Sequence, residues 1–218
     1  MIAFVVAMDN ESKAVAKAFA VEDEELVFGR TVVRGHVGGN DAVMVVCGVG
    51  KVNAAAGAQL ALSRYGADRL VNVGVAGGLR SGMRPGETYT GVRAVQYDFD
   101  LAEINGTVRG TLNEYDTPYL PLVPIPGFAE ETVATGDNFS DDEDDFRFIS
   151  GVLGAGVRDM ELGAVAHVAL RAGVPVSALK TITDVHGAGT STPAQYAENL
   201  ALGLSALSAA VYRAFAAA

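Results

Sequence analysis

Four stretches of this chain are apolar almost without interruption: IAFVVAM at 2–8, AVMVVCG at 42–48, RLVNVGVAGGL at 69–79 and PVSALKTIT at 175–183. A strand with one wet face alternates polar and apolar residues. Runs like these have both faces covered, as in a parallel sheet flanked by helices. The chain is therefore constrained to an α/β architecture around a largely parallel sheet. Its 218 residues, 50% hydrophobic and 19% charged, suit one large domain with ample core.

The segments between the runs supply the helices and turns. A helix is expected from about Asn10 to Phe19, with Asp9 or Asn10 as its cap. VEDEE (21–25) reads as an acidic loop and 26–35 as a strand. Gly-Gly-Asn-Asp at 38–41 then gives a hairpin turn into 42–48. Residues 52–65 form an Ala-rich helix stopping near Gly66, and 88–97 form a strand after the Pro85–Gly86 turn. Residues 98–130, with Pro118, Pro121, Pro124 and Pro126, read as long loops. TVATGD (132–137) is a strand ending at an acid. SDDEDDFRF opens with a cap and puts acids in a first helical turn, where the dipole favours them. A helix follows Glu161, and another closes the chain with a stripe of Leu200, Leu204, Leu207, Val211 and Phe215. That stripe, with Arg213 in the segment, reads as a docked amphipathic helix rather than a membrane span.

Charge and composition narrow the partners. The formal net charge is −10 and no cluster of Lys or Arg is visible, so nucleic acid is not expected as a partner. Cys47 is the single cysteine, and His36, His167 and His186 are scattered; neither a disulfide nor a zinc spacing is present, and no metal is expected. The apolar N-terminus lacks a basic region, so it reads as a core strand and the expected location is cytoplasmic.

Ligands of open α/β sheets sit beyond the carboxyl ends of the strands. The strand ends here carry Glu11 (in DNE), Ala-Gly-Gly at 76–78, Asp137 (in GDNF) and Asp184 (in TDV). Each acid alone has a plain structural explanation, as a first-turn helix acid, a cap or a turn residue. His186, just past Asp184, is placed to line a cleft, whereas His167 reads as packing. CGVGKVNAAAG (47–57) imitates part of a dinucleotide fingerprint, but its third glycine position is Asn53 and it follows a later strand.

Taken in order, AMDNE, GVGKVNAA, NVGVAGGL, TGDNF, DMELGAVAHV and TITDV resemble the motif series of the nucleoside phosphorylase/hydrolase superfamily, across nearly the whole chain. Within it the likeness is nearest to the 5′-methylthioadenosine/S-adenosylhomocysteine nucleosidases. The resemblance implies a three-layer α/β/α sandwich with a central mixed β-sheet, a homodimer, no cofactor, and hydrolysis of the N-glycosidic bond of a purine nucleoside with release of adenine. By position it implies Glu11 as the acid that activates water and Asp184 as the acid that protonates adenine N7. Glu161 becomes the carboxylate on the ribose hydroxyls, with Met160 along the sugar and Phe139 stacked on the base. Met8 and Val49 become apolar contacts to the sugar and its 5′ substituent, and Gly77, Ser140 and Lys180 complete the expected substrate contacts. The 98–130 segment is the least alike, and is expected to help build the 5′ side of the pocket.

The chemistry accounts for these residue types. Cleavage of C1′–N9 leaves electrons on the purine and positive charge on the ribose. A protonated acid at N7 improves the leaving group. An aspartate with an ordinary pKa of ~3.9 must be shifted upward to serve there. A carboxylate opposite it can take a proton from water and favour the cationic sugar. Related phosphorylases hold phosphate with an arginine where this chain has Asn72, and Glu11 would repel phosphate, so water is the expected nucleophile. The chain departs from the nucleosidases at Val75, where they often carry serine, and at Lys180, where they usually carry arginine. Ser140 also stands in place of an apolar residue.

Overall fold

The computed structural model describes residues 1–139 and 141–216. Ten strands and six α-helices alternate along these residues. The strands are β1 (Ile2–Val6), β2 (Ala20–Val27), β3 (Arg30–Val37), β4 (Asn40–Val46), β5 (Arg69–Gly78), β6 (Thr88–Gln96), β7 (Leu120–Pro121), β8 (Ala129–Thr135), β9 (Val157–Asp159) and β10 (Val176–Val185). The helices are α1 (Asp9–Ala16), α2 (Lys51–Tyr65), α3 (Ala102–Asn105), α4 (Glu143–Phe146), α5 (Leu162–Ala172) and α6 (Thr192–Val211). A π-helical turn, Arg147–Val152, continues α4.

The strand order is β10-β6-β8-β9-β5-β1-β4-β3-β2, with β7 beside β6. A further pairing of β10 with β5 closes five of these strands into a ring, and β1 to β4 extend from it as an open sheet. β1, β4, β5 and β10 run parallel, while β2–β3, β3–β4, β5–β9, β6–β7 and β6–β10 are antiparallel. The mixed sheet of the expected α/β/α fold is present, with part of it curled shut.

Both faces of the central strands are covered, as the unbroken apolar runs require. In β1, Ala3 and Val5 join a core shared with Ala54 and Ala58 of α2 and Val165 and Ala169 of α5. The alternate residues Phe4 and Val6 join a second core with Val15 of α1 and Leu207 and Val211 of α6. A period of two thus feeds two helical layers.

Several local expectations are corrected. VEDEE is not a loop; it lies in β2, an edge strand whose side chains are mostly exposed. Charges suit an edge that must not pair with another chain, and Glu25 also accepts from Arg64 Nη2 and Tyr65 Oη at 2.8 and 2.7 Å. The expected strand 26–35 is cut by a two-residue turn at Phe28–Gly29, both at positive φ (49° and 76°), the geometry tight hairpins need. α1 is capped at Met8, not Asp9 or Asn10, because the Glu11 carboxylate reaches back to the Met8 amide. The short strand β9 went unread; three residues between a turn and a helix leave no periodic trace.

By length and composition 192–216 could cross a membrane. In the fold it is docked, with Leu207 and Val211 in the core. Asn199 Nδ2 donates to the Thr183 carbonyl at 3.1 Å, and Gln195 bonds both backbone groups of Val185.

Candidate active site

The carboxyl ends of β1, β5 and β10 converge on a cavity of about 310 Å³. Met8 and Glu11 enter from the start of α1, Val75 and Gly77 from β5, and Asp184 from β10. Met160 and Glu161 come from the β9–α5 junction, Val49 from the turn before α2, and Phe139 from the segment after β8. Eight of the expected catalytic and substrate-contact residues, with Val75 beside them, therefore share one space, although they span most of the chain.

Glu11 is 2% exposed and locked in place. Its Oε1 accepts from the Val75 amide at 2.8 Å and its Oε2 from the Met8 amide at 3.0 Å. Gly74 makes room for it, since a Cβ there would stand 2.7 Å from Oε1. Burial raises its pKa against the pull of those amides and of Lys180.

Asp184 is aimed by a β-bulge. The β10–β5 register pairs Ile182 with Ala76 and then Asp184 with Gly77, leaving Thr183 as the extra residue. The Thr183 hydroxyl donates to Asp184 Oδ1 at 2.8 Å. Gly77 is an obligate neighbour, because a Cβ there would meet Asp184 Oδ2 at 2.8 Å. Burial again raises the pKa, opposed by the Thr183 hydrogen bond and the charge of Arg158.

Glu161 is the N-cap residue of α5. Its Oε1 accepts from the Gly50 amide at 3.0 Å. Its pKa is raised to about 7 by burial and then by the charge of Asp159, with Lys180 opposing. The neighbouring Lys51 amide donates to Asp137 at 2.8 Å. The first amides of α2 are thus taken by carboxylates, which ends the dinucleotide reading of the Gly-x-Gly turn.

Three expectations need correction. Lys180 does not line the cavity; it is 1% exposed and paired with Asp159 Oδ2 at 2.6 Å, beneath the floor. His186 turns away, stacked on Phe146 at 3.9 Å and 3.1 Å from Glu143. None of residues 98–130 lines the cavity. Ser140 lies outside the described residues. Sequence reasoning missed Arg158, Pro193 and Tyr196, which also line the space. Tyr196 sits edge-on to Phe139 at 5.7 Å, with its hydroxyl 3.6 Å from Met8 Sδ; four positions past the start of α6, it had the spacing of an ordinary core residue. Cys47 is no nucleophile: burial and the charge of Glu161 push its thiol up to about 12. Among the described residues no cluster of His, Cys, Asp or Glu is arranged to hold a metal ion.

The model of the Phosphorylase superfamily matches residues 1–131 and 126–216. The chain belongs to this superfamily. The 5′-methylthioadenosine/S-adenosylhomocysteine nucleosidase of Geobacillus thermodenitrificans is 28% identical over 198 residues, covering 85% of this chain and 84% of the relative. Two solved structures share the superfamily fold at 20% identity. One is the 5′-methylthioadenosine/S-adenosylhomocysteine nucleosidase of Colwellia psychrerythraea in complex with adenine, with a TM-score of 0.84 over 98% of this chain and 95% of that one. The other is the futalosine hydrolase of Helicobacter pylori, with a TM-score of 0.86 over 98% and 95%.

Proposed function

We propose that this superfamily member is a cytoplasmic purine nucleosidase that hydrolyses the N-glycosidic bond of 5′-methylthioadenosine and S-adenosylhomocysteine, releasing adenine. One observation carries the reading: Glu11 and Asp184, 173 positions apart in the chain, face one nucleoside-sized cavity. The relatives named for this activity support the substrate class.

Each side chain then has a task. Asp184, whose pKa burial raises, gives its proton to N7 as the C1′–N9 bond breaks. Thr183 and the Gly77 backbone hold it to one orientation. Electrons from the broken bond settle on the protonated purine. Phe139, 44% exposed at the rim, offers a ring face to that base. Glu11 takes a proton from water attacking C1′, and its negative charge favours the cationic sugar. Glu161 accepts hydrogen bonds from the ribose diol, a charge-assisted contact that a neutral side chain makes less strongly. Met8, Val49 and Met160 cover the sugar and the 5′ substituent.

The nucleophile is water rather than phosphate on electrostatic grounds. Glu11 and Glu161 border the cavity as carboxylates, and Arg158, beside Asp184, is the one lysine or arginine among the described lining residues. Asn72, at the position where phosphorylases carry arginine, is buried and donates to the Val5 carbonyl at 3.0 Å. Adenine release from methylthioadenosine is expected to proceed at the same rate with and without inorganic phosphate. Release that requires phosphate would make the chain a phosphorylase; binding without release would make it a sensor. The reading also carries the homodimer implied by the resemblance, which a solution mass measurement tests.

Glu161 sets a pH signature. A carboxyl group with a folded pKa of about 7, against 4.5 for the free side chain, grips the diol most strongly once ionised. The kcat/KM for ribonucleosides should therefore rise as pH climbs through about 7, and the rise should vanish in Glu161→Gln. The same shift acts on stability with the opposite sense. A raised acid stabilises the fold fully below its unfolded pKa, and the contribution is lost as pH rises through the folded value. Thermal unfolding temperature should fall across that window, and fall less in Glu161→Gln. A flat kcat/KM profile in the wild type would exclude the assigned role.

A further inference from the structure

Lys180 raises a problem that the nucleosidase reading leaves open. Its ammonium is fully buried, and Asp159, Glu161 and Glu11 all act on it. A buried cation takes the best-placed carboxylate, and pairing with Glu161 would consume the charge and the free oxygen that a ribose diol needs. Among the described residues, no hydrogen bond engages Glu161 Oε2, since Oε1 alone holds Gly50.

Asp159 wins the lysine because its carboxylate is also held by hydrogen bonds of its own. Its Oδ1 accepts from the Thr135 hydroxyl at 2.5 Å and its Oδ2 from the Leu162 amide at 2.8 Å. Thr135 is itself fixed, because its Oγ1 accepts from the Gly163 amide at 2.8 Å. The parallel β8–β9 register sets Thr135 directly beside Asp159, while Lys180 projects from β10, paired with Gly74 of β5. Two strand ends and the first turn of α5 therefore meet at one carboxylate.

Resting on the nucleosidase reading, we propose that Asp159 is a positioning residue: it holds the Lys180 ammonium away from Glu161, so that Glu161 keeps a free charged oxygen for the vicinal diol of the ribose. Asp159 touches no substrate in this role. It acts through the lysine, and its effect falls on discrimination between ribose and deoxyribose.

The test compares 5′-methylthioadenosine with its 2′-deoxy analogue. In Asp159→Asn the lysine is released to Glu161. The kcat/KM on the ribonucleoside should drop about 10- to 100-fold, the worth of hydrogen bonds to a charged group. The loss should appear mainly in KM, and the ribo-to-deoxy ratio should collapse toward that of Glu161→Gln. Asp159→Asn combined with Lys180→Met removes the captured cation and should restore the ratio to within about threefold of wild type; a merely structural ion pair would couple the two variants in stability but leave the ribo-to-deoxy ratio unmoved. An unchanged ratio in Asp159→Asn, or no recovery in the double variant, overturns the proposal. If Asp159→Asn does not fold, Thr135→Val and Thr135→Ser give the same contrast, since valine alone frees Asp159 Oδ1. The valine should lower the ratio and the serine keep it, and equal ratios overturn the proposal. A wild type that shows no ribose preference would instead sink the Glu161 assignment on which this rests.

Discussion

Asp184→Asn should lower the turnover of methylthioadenosine by about two to four orders of magnitude, the range removed with a general acid. Asparagine keeps the volume and can still accept from Thr183, so the bulge at Thr183 and the fit against Gly77 should survive. What disappears is the one proton poised for N7. Burial raises the pKa of Asp184, outweighing both the Thr183 hydrogen bond and the positive charge of Arg158. The loss should fall on kcat, because the proton is needed only as the bond breaks. Wild-type turnover in Asp184→Asn would remove this residue from the mechanism.

Glu11→Gln should cost turnover on the same scale, about two to four orders of magnitude, with substrate binding largely intact. The carboxylate is gripped by two amides, from Met8 and Val75. An amide side chain has one acceptor oxygen for those two donors, and its NH₂ cannot take a proton from water. Binding is measured by calorimetry with a non-hydrolysable nucleoside, and turnover by adenine release. Full activity in Glu11→Gln would reject the water-activating role.

The sheet was legible because both faces of β1, β4, β5 and β10 are buried, which writes itself into sequence as unbroken apolar runs. Glu11, Glu161 and Asp184 were legible only as a set. Alone, each looked like a helix-start acid or a cap, and Glu161 does sit at the N-cap of α5. What remained hidden depends on pairing between distant segments. Closure of β10 onto β5 as well as β6 leaves no local periodicity. The acidic edge strand β2 reads as a loop, because its side chains meet water on almost every position. Lys180 was expected to touch substrate and was found beneath the cavity, because nothing in TITDV announces that Asp159 would claim its charge. Arg158 was invisible for the same reason: β9 is too short for alternation to show which way it faces.

The central claim is that two carboxyl groups divide one reaction, Asp184 serving the leaving group and Glu11 the water. It is tested most directly with a 5-methylthioriboside whose leaving group is 4-nitrophenolate, which departs without protonation. On this substrate Asp184→Asn should regain turnover close to wild type, while Glu11→Gln remains inactive. Equal losses in the two variants, or recovery of Glu11→Gln instead, would contradict the account.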